Sequence, residues 1–356
     1  MIADRQRQRA LRPALLRARG VPPVWGVCAV LFLLAALLGS LAIGPVSIGT
    51  GPIAESALSK LPLLHIHSPL SRVEDAIVWQ LRAPRVVLAA MVGGMLATAG
   101  SAYQGVFRNP LADPYLLGVA AGAGLGATVA IAYGAGGGEL LPLAAFAGAI
   151  AGVAGAYVLG RAVGGTSGTG ALILAGVTVA AFMTAVQTFV QQQHSQTLQS
   201  VYSWLLGGFD GATWSDVVLI TPYVAISALV LVLHRRVLDV LSLGDDEAAS
   251  LGLDVRRVRL VIVVAATAGT AAAVAVSGLI GFVGIIVPHT VRLLVSTSYR
   301  AVVPLSLAVG AGFLVLADVV ARTVMSPAEL PIGVVTAFFG APFFAVVLRG
   351  SRRVGS

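Results

Sequence analysis

"VVLAAMVGGMLATAGSAYQGV", Val86 to Val106, runs without one charged side chain between Arg85 and the Phe107-Arg108 pair. At about 1.5 Å of rise per residue, a helix of this length crosses roughly 30 Å, the thickness of a bilayer's hydrocarbon core. The run is continuous and rich in Ala and Gly. The short alternating segments of a membrane barrel look different, so it reads as a membrane helix. Nine further stretches read the same way: Val24 to Val46, Tyr115 to Gly134, Leu140 to Gly160, Gly170 to Val190, Asp216 to His234, Val258 to Val276, Leu279 to Ser298, Ala301 to Val320 and Pro331 to Leu348. The composition agrees, with 57% hydrophobic and 11% charged residues in a chain of 356 and a mean hydropathy of +0.92. The expected fold is all-α, a polytopic bundle of about ten transmembrane helices with both termini cytoplasmic. Residues 24–348 are expected to form one ten-helix membrane domain, between basic tails at 1–23 and 349–356. The first run is too long and lacks the cleavage site of a secretory signal, so it is expected to be a retained helix.

Charge sets the orientation. Of 23 Lys and Arg residues, only Lys60, Arg72, Arg82, Arg85 and Arg322 fall on the side opposite the termini. The positive-inside rule therefore makes the other side cytoplasmic, and it accounts for the net charge of +8 without a nucleic-acid partner. Cys28 is the only cysteine, so neither an internal disulfide nor a cysteine metal cluster is available. The longest polar interruptions, Ser47 to Arg85 and Gln191 to Ser215, are external; Trp204 and Trp214 in the second suit a helix at headgroup level. Small residues four apart, Gly122 with Gly126, Gly148 with Gly152 and Gly160 with Gly164, point to close helix packing.

One inner loop carries unusual charge. "SLGDDEAASLGLDVRRVRL", Ser242 to Leu260, places Asp245, Asp246 and Glu247 where a short helix begins, with Gly252 as its stop. Asp254 then caps a second helix through Arg256, Arg257 and Arg259. A solvated loop is the plainer reading. A docking surface is the other, because a mere connection could be far shorter. Lys60 is the only lysine, and no G-x-x-x-x-G-K-[ST] occurs, so the chain has no P-loop for ATP.

"LSLGDDEAASLGLDVRRVRL" resembles the cytoplasmic coupling segment of the FecCD-type permeases, the BtuC-like membrane subunits of ABC importers for iron-siderophore complexes, haem and cobalamin. "WQLRAPRVVLAAMVGGMLATAGSAYQGVFRNPLADPYLLGVAAGAGLGA", "LAGVTVAAFMTAVQTFV", "YSWLLGGFDGATW", "GLIGFVGIIVPHTVRLL" and "ADVVARTVMSPAELPIGVVTAFFGAPFFAVVLR" resemble the same family in order, from Trp79 to Arg349. The resemblance implies a multi-pass protein of a bacterial cell membrane that is not itself an enzyme and needs no cofactor. Its implied partners are a separate cytoplasmic ABC ATPase, an extracytoplasmic substrate-binding protein, a second permease chain and membrane lipid. It implies that Leu243, Gly244, Asp245, Asp246, Glu247, Ala248, Ala249, Ser250, Leu251 and Gly252 receive the ATPase, within a coupling segment at 242–257. It also implies that Arg82, Arg85 and Arg322 pair with acids of the binding protein; anchors marking a span end are the alternative. Asn109, Leu111 and Thr169 are implied near a cytoplasmic gate, where Pro110 and Pro114 would equally make a rigid turn.

Other constellations carry less. Asp318 and Arg322, one turn apart, read as a neutralising pair rather than a proton relay. His65 and His67 are too few for a metal site, His289 reads as packing, and no catalytic triad or metal set assembles. An ion-coupled secondary transporter is the alternative function, though buried ionisable groups and interrupted helix pairs at midplane are scarce.

Overall fold

The computed structural model describes residues 20–44, 46–60, 68–134, 136, 138–164 and 169–352; His65, His67 and the arginines up to Arg19 lie outside them. Among the described residues all regular structure is helical. The helices are α1 (Pro23–Ala42), α2 (Thr50–Ser59), α3 (Arg72–Ala76), a π-helical segment (Ile77–Arg82), α4 (Ala83–Phe107), α5 (Val119–Ala132), α6 (Leu140–Gly164) and α7 (Thr169–Gln193). They continue with α8 (Leu198–Leu206), α9 (Trp214–Leu233), α10 (Arg235–Leu241), α11 (Asp245–Ser250), α12 (Val255–Ser277), α13 (Val283–Leu294), α14 (Tyr299–Thr323) and α15 (Ile332–Arg352).

Seven of the ten expected spans are helices long and apolar enough to cross a membrane; the other three hold the shorter apolar helices α5, α13 and the start of α15. The shortening has local causes. The third span was expected from Tyr115, but Asp113 accepts the Tyr115 N–H in a side-chain turn at 2.8 Å. Gly118, at φ +84°, then starts α5 four residues late. Phe282, at φ +69°, likewise delays α13.

The segment from Arg72 through α4 is the axis of the bundle, with 83% of its apolar window buried against 17% for α1. α12, α13 and α14 pack around α4, α9 lies against α12, and α5, α6 and α7 form an adjoining layer. In lipid, apolar surface gains nothing by turning inward, so cohesion comes from backbone proximity. A Cβ on Gly100 would sit 2.0 Å from the Gly284 carbonyl oxygen, and one on Gly93 would sit 2.3 Å from that of Gly310. Gly122 and Gly126 meet Gly148 and Ala144 in the same manner. Gly122, Gly126 and Gly148 therefore act in packing, as their spacing predicts, and Gly93 and Gly100 do the same without that spacing.

Candidate functional site: an inner elbow and an outer charge cluster

The inner elbow begins on α10. Asp239 accepts the Tyr299 backbone N–H at 2.6 Å and the Ser298 hydroxyl at 2.8 Å, which ties α10 to the first turn of α14. Gly244, at φ +136°, turns the chain into α11. Leu251 closes that helix and Gly252, at φ +84°, reverses the chain. Asp254 then caps α12 by accepting the Arg257 N–H at 3.1 Å. The start of α11, the Gly252 turn and the Asp254 cap fall where the sequence places them.

The ten residues expected to receive the ATPase divide into two sets. Gly244 and Ala248 are buried, Leu243 is half-buried, and Asp246, Glu247, Ala249, Ser250, Leu251 and Gly252 are exposed. Leu251 is an apolar side chain 61% exposed at the tip. Asp245 turns inward: Arg259 Nη2 donates to both its carboxylate oxygens at 2.8 and 3.0 Å. Arg108 Nη2, from the end of α4, stands 3.7 Å from the same carboxylate. Six of the ten expected residues are thus exposed, while Gly244 and Ala248 are buried, Leu243 is half-buried and Asp245 is engaged in an internal ion pair.

The neighbouring loop is a set of turns. Arg108 is left-handed at φ +50° and closes α4. Asn109 Oδ1 accepts the Leu111 N–H at 3.0 Å, and Leu111 is exposed. Thr169 opens α7. Burial pushes the Asp113 carboxyl up to about 6, against its hydrogen bond with Tyr115. Deeper in the bundle, buried Gln104 donates to the Gly284 carbonyl at 3.0 Å and accepts from Arg292. Sequence reasoning passed over Gln104 and Asp239. A lone amide within an apolar span was the available signal for the first.

The outer arginines are bonded within the chain. Arg82 donates to the carbonyls of Leu41 at 2.6 Å and Ala42 at 3.2 Å and also to that of Val46, satisfying backbone acceptors at and beyond the end of α1. Arg322 donates to the Ser40 hydroxyl at 2.7 Å and lies 3.6 Å from Asp318. Arg85 grips two carboxylates, Asp318 at 2.8 Å and Glu329 at 2.7 Å. Asp318 is fully buried, Arg85 is 12% exposed and Glu329 39%. The expected Asp318–Arg322 pair exists, yet Arg85 is the stronger partner. Of the three arginines expected to meet a binding protein, Arg82 and Arg322 are enclosed, and Arg85 bonds the surface group Glu329.

Comparison with known proteins agrees with this architecture. The FecCD transport family model matches residues 31–350. The cobalamin import system permease protein BtuC of Halobacterium salinarum is 37% identical over 355 residues, covering 91% of this chain and 95% of its own. The iron(3+)-hydroxamate import system permease protein FhuB of Bacillus subtilis is 36% identical, covering 81% and 75%. A solved inward-facing ABC transporter assigned to the metal-chelate type superposes with a TM-score of 0.80 at 29% identity, covering 92% of this chain and all of that one. The chain is an integral membrane protein, and it belongs to the FecCD transport family.

Proposed function

We propose that this chain is the permease subunit of a binding-protein-dependent ABC importer that moves a bulky metal chelate, cobalamin or a ferric siderophore complex, into the cell. The observation that carries the reading is the inner elbow. Six exposed residues on and just after a six-residue helix, with Leu251 uncovered, lie between the Gly244 and Gly252 turns, and Asp254 caps the helix that follows. The chain has no P-loop, so a separate ATPase seated on that face supplies the work. Two permease chains enclose the path and expose it alternately to either side, and a substrate-binding protein delivers cargo to the outer face, where Arg85 and Glu329 reach the surface. The named relatives support cobalamin or ferric hydroxamate as cargo; neither of them is named for haem.

Reconstitution of the permease with its ATPase and binding protein in vesicles tests this. Uptake of cobalamin or of a ferric hydroxamate is expected to require ATP and to survive a protonophore. Uptake that stops with the protonophore and continues without ATP would replace the reading with ion-coupled transport.

A further inference from the structure

Three acids open α11, and they are not equivalent. Asp246 and Glu247 are exposed and have no ion pair among the described residues. Asp245 instead meets Arg259, in the second turn of α12, and Arg108, the residue that ends α4. α4 and α12 are the two most buried of the long apolar helices. One carboxylate therefore joins the elbow to both of them.

The pairing with Arg259 is also incomplete. Only Nη2 of the guanidinium reaches Asp245, while Nε is buried with no hydrogen-bond partner among the described residues. A buried donor left unpaired is unfavourable. The fork geometry of arginine offers an alternative in which Nε and Nη2 each take one oxygen. A small shift of α11 along α12 would exchange the first arrangement for the second. Two discrete pairings of one ion pair are what a transmitted displacement needs, since packed elements move between alternative states rather than deforming continuously. Arg108 supports the same end: a non-glycine residue held left-handed beside Gly244 keeps its guanidinium at the elbow.

We propose that Asp245 is a positioning residue that carries movement of α11 to α4 and α12, and that it lies outside the ATPase contact face. The proposal rests on the importer reading above. In the complete transporter, Asp245→Asn is expected to retain the ATPase and its ATP hydrolysis while substrate moved per ATP falls at least tenfold. Asp245→Glu should keep most of the coupling, and Asp245→Arg combined with Arg259→Asp should recover part of it. Asp246→Arg with Glu247→Arg should instead release the ATPase. Wild-type coupling in Asp245→Asn, or loss of the ATPase from that variant, would overturn the proposal.

A second measurement needs no partner. With Cys28→Ser as background, a nitroxide on Ser250→Cys reports the motion of α11, and Asp245→Asn should make it markedly more mobile. Unchanged mobility would also overturn the proposal. If wild-type permease retained no ATPase at all, the importer reading would fall, and the nitroxide result would judge the Asp245 link by itself.

Discussion

At its outer end the helix through α4 carries Arg82 and Arg85, which together satisfy three backbone carbonyls and two carboxylates. At its inner end Arg108 is 44% exposed and stands 3.7 Å from Asp245, beyond hydrogen-bond reach. The same residue type thus does opposite work at the two ends. A charge sealed in protein needs an opposite charge beside it, and removing that partner is costly. A charge half in water loses little on separation. The outer cluster is therefore a fixed clamp joining α1, α4, α14 and the loop before α15. The Arg108 contact at the inner end is the looser one, and under the proposal above it is free to shift.

The sharpest way to break this contrast is at Asp318. Replacing it with Ala leaves Arg85 and Arg322 facing each other in a buried site, and removing one partner of a buried pair costs about 3–5 kcal/mol. A large drop in melting temperature in detergent is expected. Exchanging Arg85, Asp318 and Arg322 together for apolar residues of similar size should recover much of it, because neither buried guanidinium is then left without its carboxylate. Unchanged melting of Asp318→Ala would make the outer end as yielding as the inner one. Arg82→Ala comes next. Hydrogen bonds from a charged donor contribute about 1.5–3 kcal/mol, and here their loss falls on the end of α1. Faster amide exchange near residues 41–46, with the core of α4 still protected, is the expected sign.

At the inner end Arg108→Ala should change the melting temperature very little, since exposed pairs of this kind contribute about 1 kcal/mol or less. The variant should nevertheless reduce substrate moved per ATP. A stability loss matching that of Asp318→Ala would erase the distinction between clamp and hinge.

Much of this arrangement is legible in the sequence, and the limit has a physical cause. Spans follow from the lengths of uncharged runs, and the elbow follows from local rules: acids at a helix start, glycine at its end, aspartate as a cap. Asp318 and Arg322 are found because they sit one turn apart. Arg85 is missed as their partner because 233 residues separate it from Asp318, and no periodicity spans such a distance. The intrachain bonds of the scarce outer arginines are equally out of reach, since Arg82 meets residues about 40 positions away. Asp245, Asp246 and Glu247 read as one acidic run, although Asp245 alone lies over Arg259. Rotation about a helix of six residues decides which carboxylate faces inward, and composition does not reveal it.

The smallest effect concerns pH, and it bears on how far the inner loop is shielded from water. Asp113 follows the Asn109 turn, and burial raises its carboxyl from 3.8 to about 6. The folded loop therefore favours the protonated form. The stability this contributes is complete below the unfolded value and is lost as pH rises through about 6. Between about pH 5 and pH 7.5 the wild-type melting temperature should fall slightly more than that of Asp113→Asn, which keeps an oxygen to accept the Tyr115 N–H but has no proton to lose. Parallel profiles for the two proteins would put Asp113 in water beside Asp246 and Glu247, and the yielding region would then extend from the elbow across the whole inner loop.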